Sequence, residues 1–184
     1  MLRQHSIRVV LALCSLMAAL AANEVEAPAL SFGSSIAIPT CTHLQVAAEG
    51  SEGAAGTGAV IVLLANPGVV CKVMGFPTVV FYNSRGIAVD SRNDHVSSML
   101  FANPSAKVVV LRRGMVASFA ISWSNNPVVY KSPRSDTCPS AAWMQVSLRG
   151  GVRSSIGSPA IEAAPCGGGL TVTAIQAGVT PMKS

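Results

Sequence analysis

The chain has 184 residues, of which half are hydrophobic and 11% are charged, and its formal net charge is +5. This length is enough for one domain with its own core and does not call for a second. After the N-terminal region the cations are scattered, with Arg112-Arg113 as the only adjacent pair. A nucleic-acid face needs clustered cations and aromatics, and a polybasic membrane patch needs several cations together. The distribution of charge therefore excludes a nucleic-acid-binding face and a polybasic membrane patch.

The N-terminus has the order of a secretory signal. Arg3 and Arg8 precede an uncharged apolar run over residues 9–22, and small residues follow it. The run is shorter than the roughly 20 residues that a membrane-spanning helix needs. We expect a cleavable signal peptide over residues 1–27, with a cut after Ala22 as the alternative, and no transmembrane anchor after cleavage.

Five cysteines are present, and the first of them, Cys14, lies in the signal region. Acylation of Cys14 is an alternative that the bulky Leu13 before it disfavours. An even number remains in the exported part, and this indicates two disulfides. The four remaining cysteines are Cys41, Cys71, Cys138 and Cys166. A zinc site would need closely spaced Cys or His ligands, so we expect neither a metal nor another cofactor.

After the signal, stretches rich in Pro, Gly and Ser, which interrupt regular structure, alternate with strand-like runs. Residues 28–40 are rich in Pro, Gly and Ser and are predicted as an N-terminal tether. Residues 42–48 alternate in hydrophobicity, which is typical of a half-buried strand. The glycine-rich stretch 49–58 is predicted as a hairpin loop, and the β-branched run 59–65 as a central strand.

These two strands predict how the cysteines pair. If they are antiparallel, the start of the first lies beside the end of the second, which brings Cys41 near Cys71. Four cysteines allow three pairings, and sequence alone selects none of them. Strand register makes Cys41–Cys71 the preferred pair. Cys138–Cys166 is then the second, because each of its members precedes a later strand.

The rest of the chain continues the same pattern. Further strands are predicted at 76–82, 87–90, 107–111, 116–123, 141–148 and 170–175, separated by turns and by long loops at 91–106 and 124–139. Residues 107–123 are predicted as a hairpin, and its second arm places Phe119, Ile121 and Trp123 on one core face. The fold class is all-β, an immunoglobulin-like antiparallel β-sandwich with two disulfides, preceded by a cleavable signal peptide. The domain is expected over residues 41–177, with a C-terminal tail at 178–184.

A family resemblance rests on the order of these landmarks. They are Cys41, Asn66, Cys71, Gly75-Phe76-Pro77, Gly86, Gly114 with Ala117, Trp123, Cys138, Cys166 and Leu170. From about Pro39 to Ile175 the chain resembles the exported actinobacterial family catalogued as domain of unknown function 4232. It departs from that pattern in having Phe76 for a tyrosine and Arg113 for a proline. The resemblance implies an immunoglobulin-like sandwich on a secreted or cell-envelope protein, and it supplies no catalytic residues.

No catalytic constellation stands out in the sequence. His43 and His95 are the only histidines after the signal, and no serine lies in a G-x-S-x-G motif. We therefore expect a noncatalytic module, secreted or in the cell envelope, that binds a protein, glycan or lipid partner. A small secreted hydrolase that uses a loop histidine is the alternative.

The two long loops are the predicted binding site. Loops of this length are uncommon unless they are functional or disordered, and a hairpin over 107–123 would bring both to the same end of the sandwich. The residues expected there are Asn93, His95, Phe101, Asn125, Asn126 and Tyr130. The alternative is that both loops are merely variable.

Overall fold

The computed structural model describes residues 37–54, 56–126, 138–157 and 163–183. The predicted signal peptide, most of the tether and Tyr130 lie outside these ranges. The strands are β1 (Gln45–Ala54), β2 (Thr57–Ala65), β3 (Cys71–Val73), β4 (Thr78–Tyr82), β5 (Arg92–Asp94), β6 (Val109–Leu111), β7 (Val116–Ser124), β8 (Trp143–Ser147), β9 (Arg153–Gly157), β10 (Gly169–Val172) and β11 (Gln176–Ala177). In this part of the chain no helix has the length and apolar character to cross a bilayer.

One layer of the fold is a sheet in the order β1-β2-β7-β10-β5, and β11 pairs with β7 beyond the end of β10. β2 is central, as predicted, because it pairs along its length with β1 on one side and β7 on the other. All pairs in this sheet are antiparallel except β5 with β10, which is parallel.

The prediction of a loop over residues 49–58 is wrong. Most of it belongs to β1 and β2, which continue in register to a tight turn between Ala54 and Thr57, with one irregularity between Glu49 and Ser51. Glycine lowers strand propensity, yet strand pairing uses main-chain groups that every residue except proline carries. The ladder therefore runs through these glycines.

The opposite layer contains β4-β8-β9 and the two-stranded β3-β6 sheet. The predicted hairpin over 107–123 is wrong, because β6 pairs with β3 and β7 pairs with β2. The turn between them closes on Asn66, whose carbonyl accepts a hydrogen bond from Gly114 N–H at 2.8 Å. The φ of +78° at Gly114 is a conformation that favours glycine. The chain thus crosses between layers at this turn.

The core lies between the two layers and confirms the predicted role of β7. Phe119 and Ile121 are fully buried and Trp123 is 3% exposed. Phe81 from β4 meets Trp123 edge to face, with ring centroids 5.6 Å apart, a geometry that aromatic rings favour. A Cβ added to Gly58 would clash with the indole ring of Trp123, so the indole needs glycine beside it. The structure confirms the all-β sandwich.

The two disulfides join Cys41 to Cys71 and Cys138 to Cys166, the pairs that the strand order predicts. The first ties the start of the domain to β3. There the N–H of Lys72 donates to Pro39 C=O, and the N–H of Cys41 donates to Lys72 C=O. Main-chain pairing with β3 therefore begins within the predicted tether.

The C-terminal segment packs on the outer side of the large sheet. The N–H of Thr180 donates to the Oγ of Ser118 at 2.7 Å, and the N–H of Lys183 donates to Leu100 C=O at 2.8 Å. Between this segment and the sheet, Phe101 forms a small second core with Ala59 and Ala120. The predicted tail is therefore held against the domain up to Lys183.

Asn66 is a buried polar residue that anchors several main-chain groups, and replacing it should destabilise the fold. Its Nδ2 donates to the carbonyls of Val69 and Leu111 at 2.8 and 2.9 Å, and its Oδ1 accepts from Gly68 N–H. Because Asn66→Ala leaves buried groups unpaired, we expect the free energy of unfolding, measured by urea titration, to fall by about 1–3 kcal/mol. The matched control is Asn83→Ala in an exposed turn, where water replaces the lost bonds and the loss should be about 0.5 kcal/mol or less. Equal losses in the two variants would contradict the anchoring role.

Candidate functional site

Asn93, from the predicted binding loops, joins the two layers. Its Oδ1 accepts from the N–H of Val79 at 2.7 Å, and its Nδ2 donates to the C=O of Val79 at 2.8 Å. Its amide therefore pairs with β4 as a neighbouring strand residue would. The side chain is engaged in holding β5 against the other layer.

His95 is exposed and lies away from the end of β7. Its ring stacks on Phe76 with centroids 4.2 Å apart, and its Nδ1 is 3.3 Å from the C=O of Val172. Val172 pairs with Ile121 on β7. Asn125 lies four residues further along the chain than Ile121, which is about 13 Å of extended strand. The parallel pairing of β5 with β10 carries His95 away from the second loop.

The remaining loop residues do not complete the predicted cluster. Asn125 and Asn126 are exposed at the end of β7, and the Oδ1 of Asn125 accepts a hydrogen bond from Trp123 Nε1 at 2.8 Å. The prediction that Phe101 is presented for recognition is wrong, because this residue is only 1% exposed. Tyr130 lies outside the described residues. The structure therefore does not present these residues as one surface cluster, because Phe101 is buried and the amide of Asn93, which is level with Trp123 in the sheet, is bonded to Val79.

Neither histidine has the partners of a catalytic base in the described ranges. His43 lines a shallow cavity of about 440 Å³ with Pro67 and Arg153. Hydrogen bonds from His43 or His95 to a carboxylate or hydroxyl do not occur among the described residues. In the same residues no group of three His, Cys, Asp or Glu side chains could hold a metal ion. The hydrolase alternative gains no geometric support.

The outer side of the β4-β8-β9 sheet carries a different set of side chains, which we call the aromatic face. Burial alternates along these strands, so that Val79, Phe81, Met144 and Val146 face the core and their neighbours face outward. In register across the three strands, the outward residues form the rows Tyr82-Trp143-Gly157, Val80-Gln145-Ser155 and Thr78-Ser147-Arg153.

Tyr82 and Trp143 stack on each other in the first row of the aromatic face. They are direct cross-strand neighbours, their ring centroids are 3.9 Å apart, and their planes differ by 4°. Residues opposite each other on neighbouring strands are close enough for such contact, and aromatic pairs stabilise sheets. Both side chains are half-buried. The stack therefore forms a rigid ridge that solvent reaches.

The flank of Trp143 away from Tyr82 faces a glycine. A Cβ built on Gly157 would meet, among described atoms, only Cβ of Trp143, at 3.9 Å. No β9 side chain therefore fills the place beside the indole. Arg153 is the one charged residue of the aromatic face and is exposed. The face combines Trp, Tyr and Arg, the residue types that dominate binding energy at protein interfaces, with smaller polar groups around them.

Sequence reasoning missed this face although part of the signal was visible. Alternation in the run 141–148 places Trp143 on the opposite side from Met144 and Val146. A tryptophan out of phase with the core residues of its own strand indicates a surface role. The partner strand could not be read, because Tyr82 lies some sixty residues earlier and its register depends on the whole sheet.

Comparison with known proteins places the chain in a family. A family model described as "Domain of unknown function (DUF4232)" matches residues 40–176, and no curated protein and no solved structure matches the chain. The matched region contains all four paired cysteines, the Asn66 anchor and both members of the aromatic stack. Because the match covers well over half of the sequence, the chain belongs to the DUF4232 family of domains of unknown function.

Proposed function

We propose that this protein is a noncatalytic module outside the cytoplasm that binds a protein partner through the aromatic face. The observation that carries the proposal is the half-buried stack of Tyr82 on Trp143 with Gly157 beside it. A rigid aromatic ridge offers contact area at little cost in side-chain entropy, since few torsions remain to be fixed on binding.

Two disulfides support a location outside the cytoplasm. Such bonds persist in oxidising compartments and are rare where thiols are kept reduced. Cys41–Cys71 and Cys138–Cys166 both lie in the folded domain. Together with the signal peptide expected over residues 1–27, they favour a secreted or cell-envelope protein.

The chemistry of the aromatic face favours a protein over a lipid or a glycan. A lipid surface would be met by a larger apolar area, whereas this face mixes Gln145, Ser155 and Arg153 with the aromatics. A sugar that stacks on a ring also needs polar side chains placed around it to fix its orientation, and the row of the stack itself offers only Gly157 beside Trp143. A protein interface instead typically has aromatic anchors at its centre and a polar rim.

Trp143→Ala tests the proposal. The domain should lose only about 0.5–1.5 kcal/mol of stability, because the pair is half-exposed. Affinity for a partner captured from envelope extract and then purified should fall by about 2 kcal/mol or more, roughly thirtyfold in Kd. Calorimetry on the purified pair measures this change.

Trp143→Phe is the matched control, since it keeps an aromatic ring against Tyr82 and should retain most of the affinity. Equal affinity of wild type and Trp143→Ala would remove the aromatic face from the interface. Capture of glycan or lipid in place of protein, with the same loss in Trp143→Ala, would keep the site and replace the class of partner.

A further inference from the structure

A groove of about 410 Å³ separates β6 from β11, and the two strands do not pair with each other. We call it the edge groove. The described residues that line it are Pro104, Ser105, Lys107, Val108, Val109, Val110, Ile175, Gln176 and Ala177. It shares no residue with the aromatic face.

The main chain of β6 points into this groove at alternate residues. The N–H of Lys72 on β3 donates to Pro39 C=O and its C=O accepts from Cys41 N–H, so both main-chain groups of Lys72 are directed to the side away from β6. Its partner in register is Val110, so this is a non-hydrogen-bonded pair of an antiparallel ladder, and the N–H and C=O of Val110 point away from β3. Val108 lies two residues earlier, just before β6, and the alternating burial of residues 108–111 places it on the same edge as Val110.

β11 presents the opposite wall in the same way. The N–H of Gly178 donates to Val116 C=O on β7. Because alternate residues of an antiparallel strand bond to the same neighbour, Gln176 and Gly178 are the residues bonded to β7, and Ala177 between them is not. Ala177 therefore points its N–H and C=O away from β7. Ile175 lies on the same edge, and its N–H already donates to Gly75 C=O. Beyond that bond the edge of β11 is open.

Both walls thus carry unpaired main-chain groups. No described residue supplies a hydrogen bond to the main chain of Val108, Val110 or Ala177 on the groove side. Donors and acceptors that alternate at strand spacing are matched by another extended main chain. A small molecule does not reproduce that spacing, so the chemistry of the groove selects a peptide.

Charge and side chains narrow the class of peptide further. Lys107 is the single charged residue among those that line the groove, and Arg112 directly follows Leu111, the last residue of β6. Between these cations, Val108 and Val110 are 53% and 38% exposed. A complementary strand has apolar residues at its centre and carboxylates at its ends.

We propose that the edge groove binds an extended, acid-flanked peptide segment of a partner protein, which adds as a strand to the open edge of β6. The segment accepts and donates main-chain hydrogen bonds at Val108 and Val110. Its carboxylates meet Lys107 and Arg112.

Amide hydrogen exchange tests the geometry in the intact, oxidised protein. Without peptide, the amide of Val110 should exchange much faster than those of Val109 and Leu111, which donate to β3. Addition of the synthetic peptide acetyl-Glu-Val-Thr-Val-Glu-amide should slow exchange at Val110. Slow exchange at Val110 in the free protein would overturn the proposal, and so would an unchanged rate with peptide bound.

Two substitutions at Val110 separate main-chain from side-chain recognition. Val110→Pro removes the N–H that faces the groove and leaves the bonds to β3 intact, so peptide affinity should fall about tenfold, the effect of one lost hydrogen bond. Val110→Thr keeps the N–H and should bind within about twofold of wild type.

Probe variants test the same point without changing the protein. A peptide with alternate amides N-methylated should lose affinity, and one with lysines in place of glutamates should bind more weakly as the salt concentration falls. The proposal is overturned if the unmodified acetyl-Glu-Val-Thr-Val-Glu-amide does not bind at about 1 mM, the weak end of specific binding. Equal binding to wild type and Val110→Pro, or equal binding of acidic and basic peptides, also overturns it.

Discussion

Replacing Phe119 with alanine is expected to reduce the free energy of unfolding by about 3–5 kcal/mol. Phe119 is fully buried at the middle of β7, the strand that pairs with β2 along its whole length. Removing the ring forfeits the transfer free energy of its apolar surface and leaves a cavity. The ladders on both sides of β7 prevent the backbone from collapsing into that cavity, which places the loss in the upper part of the range.

Urea unfolding of the oxidised protein measures this loss, with Phe76→Ala as the matched control. Phe76 is half-buried and stacks on the exposed His95, so deleting its ring should cost about 1–2 kcal/mol. A similar loss in both variants would mean that the inner side of β7 is not the centre of the core.

Replacing Cys71 with serine is expected to cost about 2–5 kcal/mol, as the loss of a native disulfide does in small secreted domains. The bridge closes a loop between residues 30 apart in sequence, and both of its cysteines are buried. Opening it enlarges the unfolded ensemble. It also leaves a buried thiol at Cys41, so Cys41→Ser with Cys71→Ser is the cleaner variant to compare.

The second bridge is the internal control for this effect. Cys138–Cys166 spans 28 residues, nearly the same loop, so chain entropy predicts a similar loss when it is removed. Non-reducing peptide mapping of the wild type should recover Cys41 with Cys71. Recovery of Cys41 with Cys138 or Cys166, or a loss well under about 1 kcal/mol in the double variant, would contradict the pairing.

The local sequence pattern was sufficient to predict strands, their pairing and their burial where neighbours in sequence are also neighbours in space. The sequence of β2 predicts a central strand because Val60, Val62 and Leu64 alternate with further apolar residues. In the structure β2 pairs with β1 across a short turn. From that single pairing the position of Cys41 beside Cys71 follows. The burial of Phe119 and Ile121 follows from alternation within β7 alone.

Non-local pairing could not be read in the same way. β6 was expected to pair with β7, the next strand along the chain, but it pairs with β3 because the turn at Gly114 is bonded to Asn66. The loop 91–106 contains β5, whose partner β10 lies far along the chain. That pairing carries His95 away from Asn125, and the packing of Phe101 on the outer side of the sheet depends on the C-terminal segment.

Both proposed surfaces arise from such non-local pairs. Tyr82 meets Trp143 only because β4 pairs with β8, and the open edge of β6 exists only because β11 pairs with β7 and stops short of β6. A sequence shows which residues are apolar or aromatic. It does not show which strand edges remain unpaired once the sheets are assembled.

Site-specific photocrosslinking tests most directly whether the aromatic face is the binding site. A benzoylphenylalanine at Ser155, which is exposed in the row next to the stack, is compared with the same group at Asn126 in the predicted loop site. Irradiation in envelope extract should give a discrete crosslinked protein from position 155 that disappears when Trp143→Ala is added, and none from position 126. A crosslink from position 126 that survives Trp143→Ala, with none from 155, would contradict the account and return the site to the end loops.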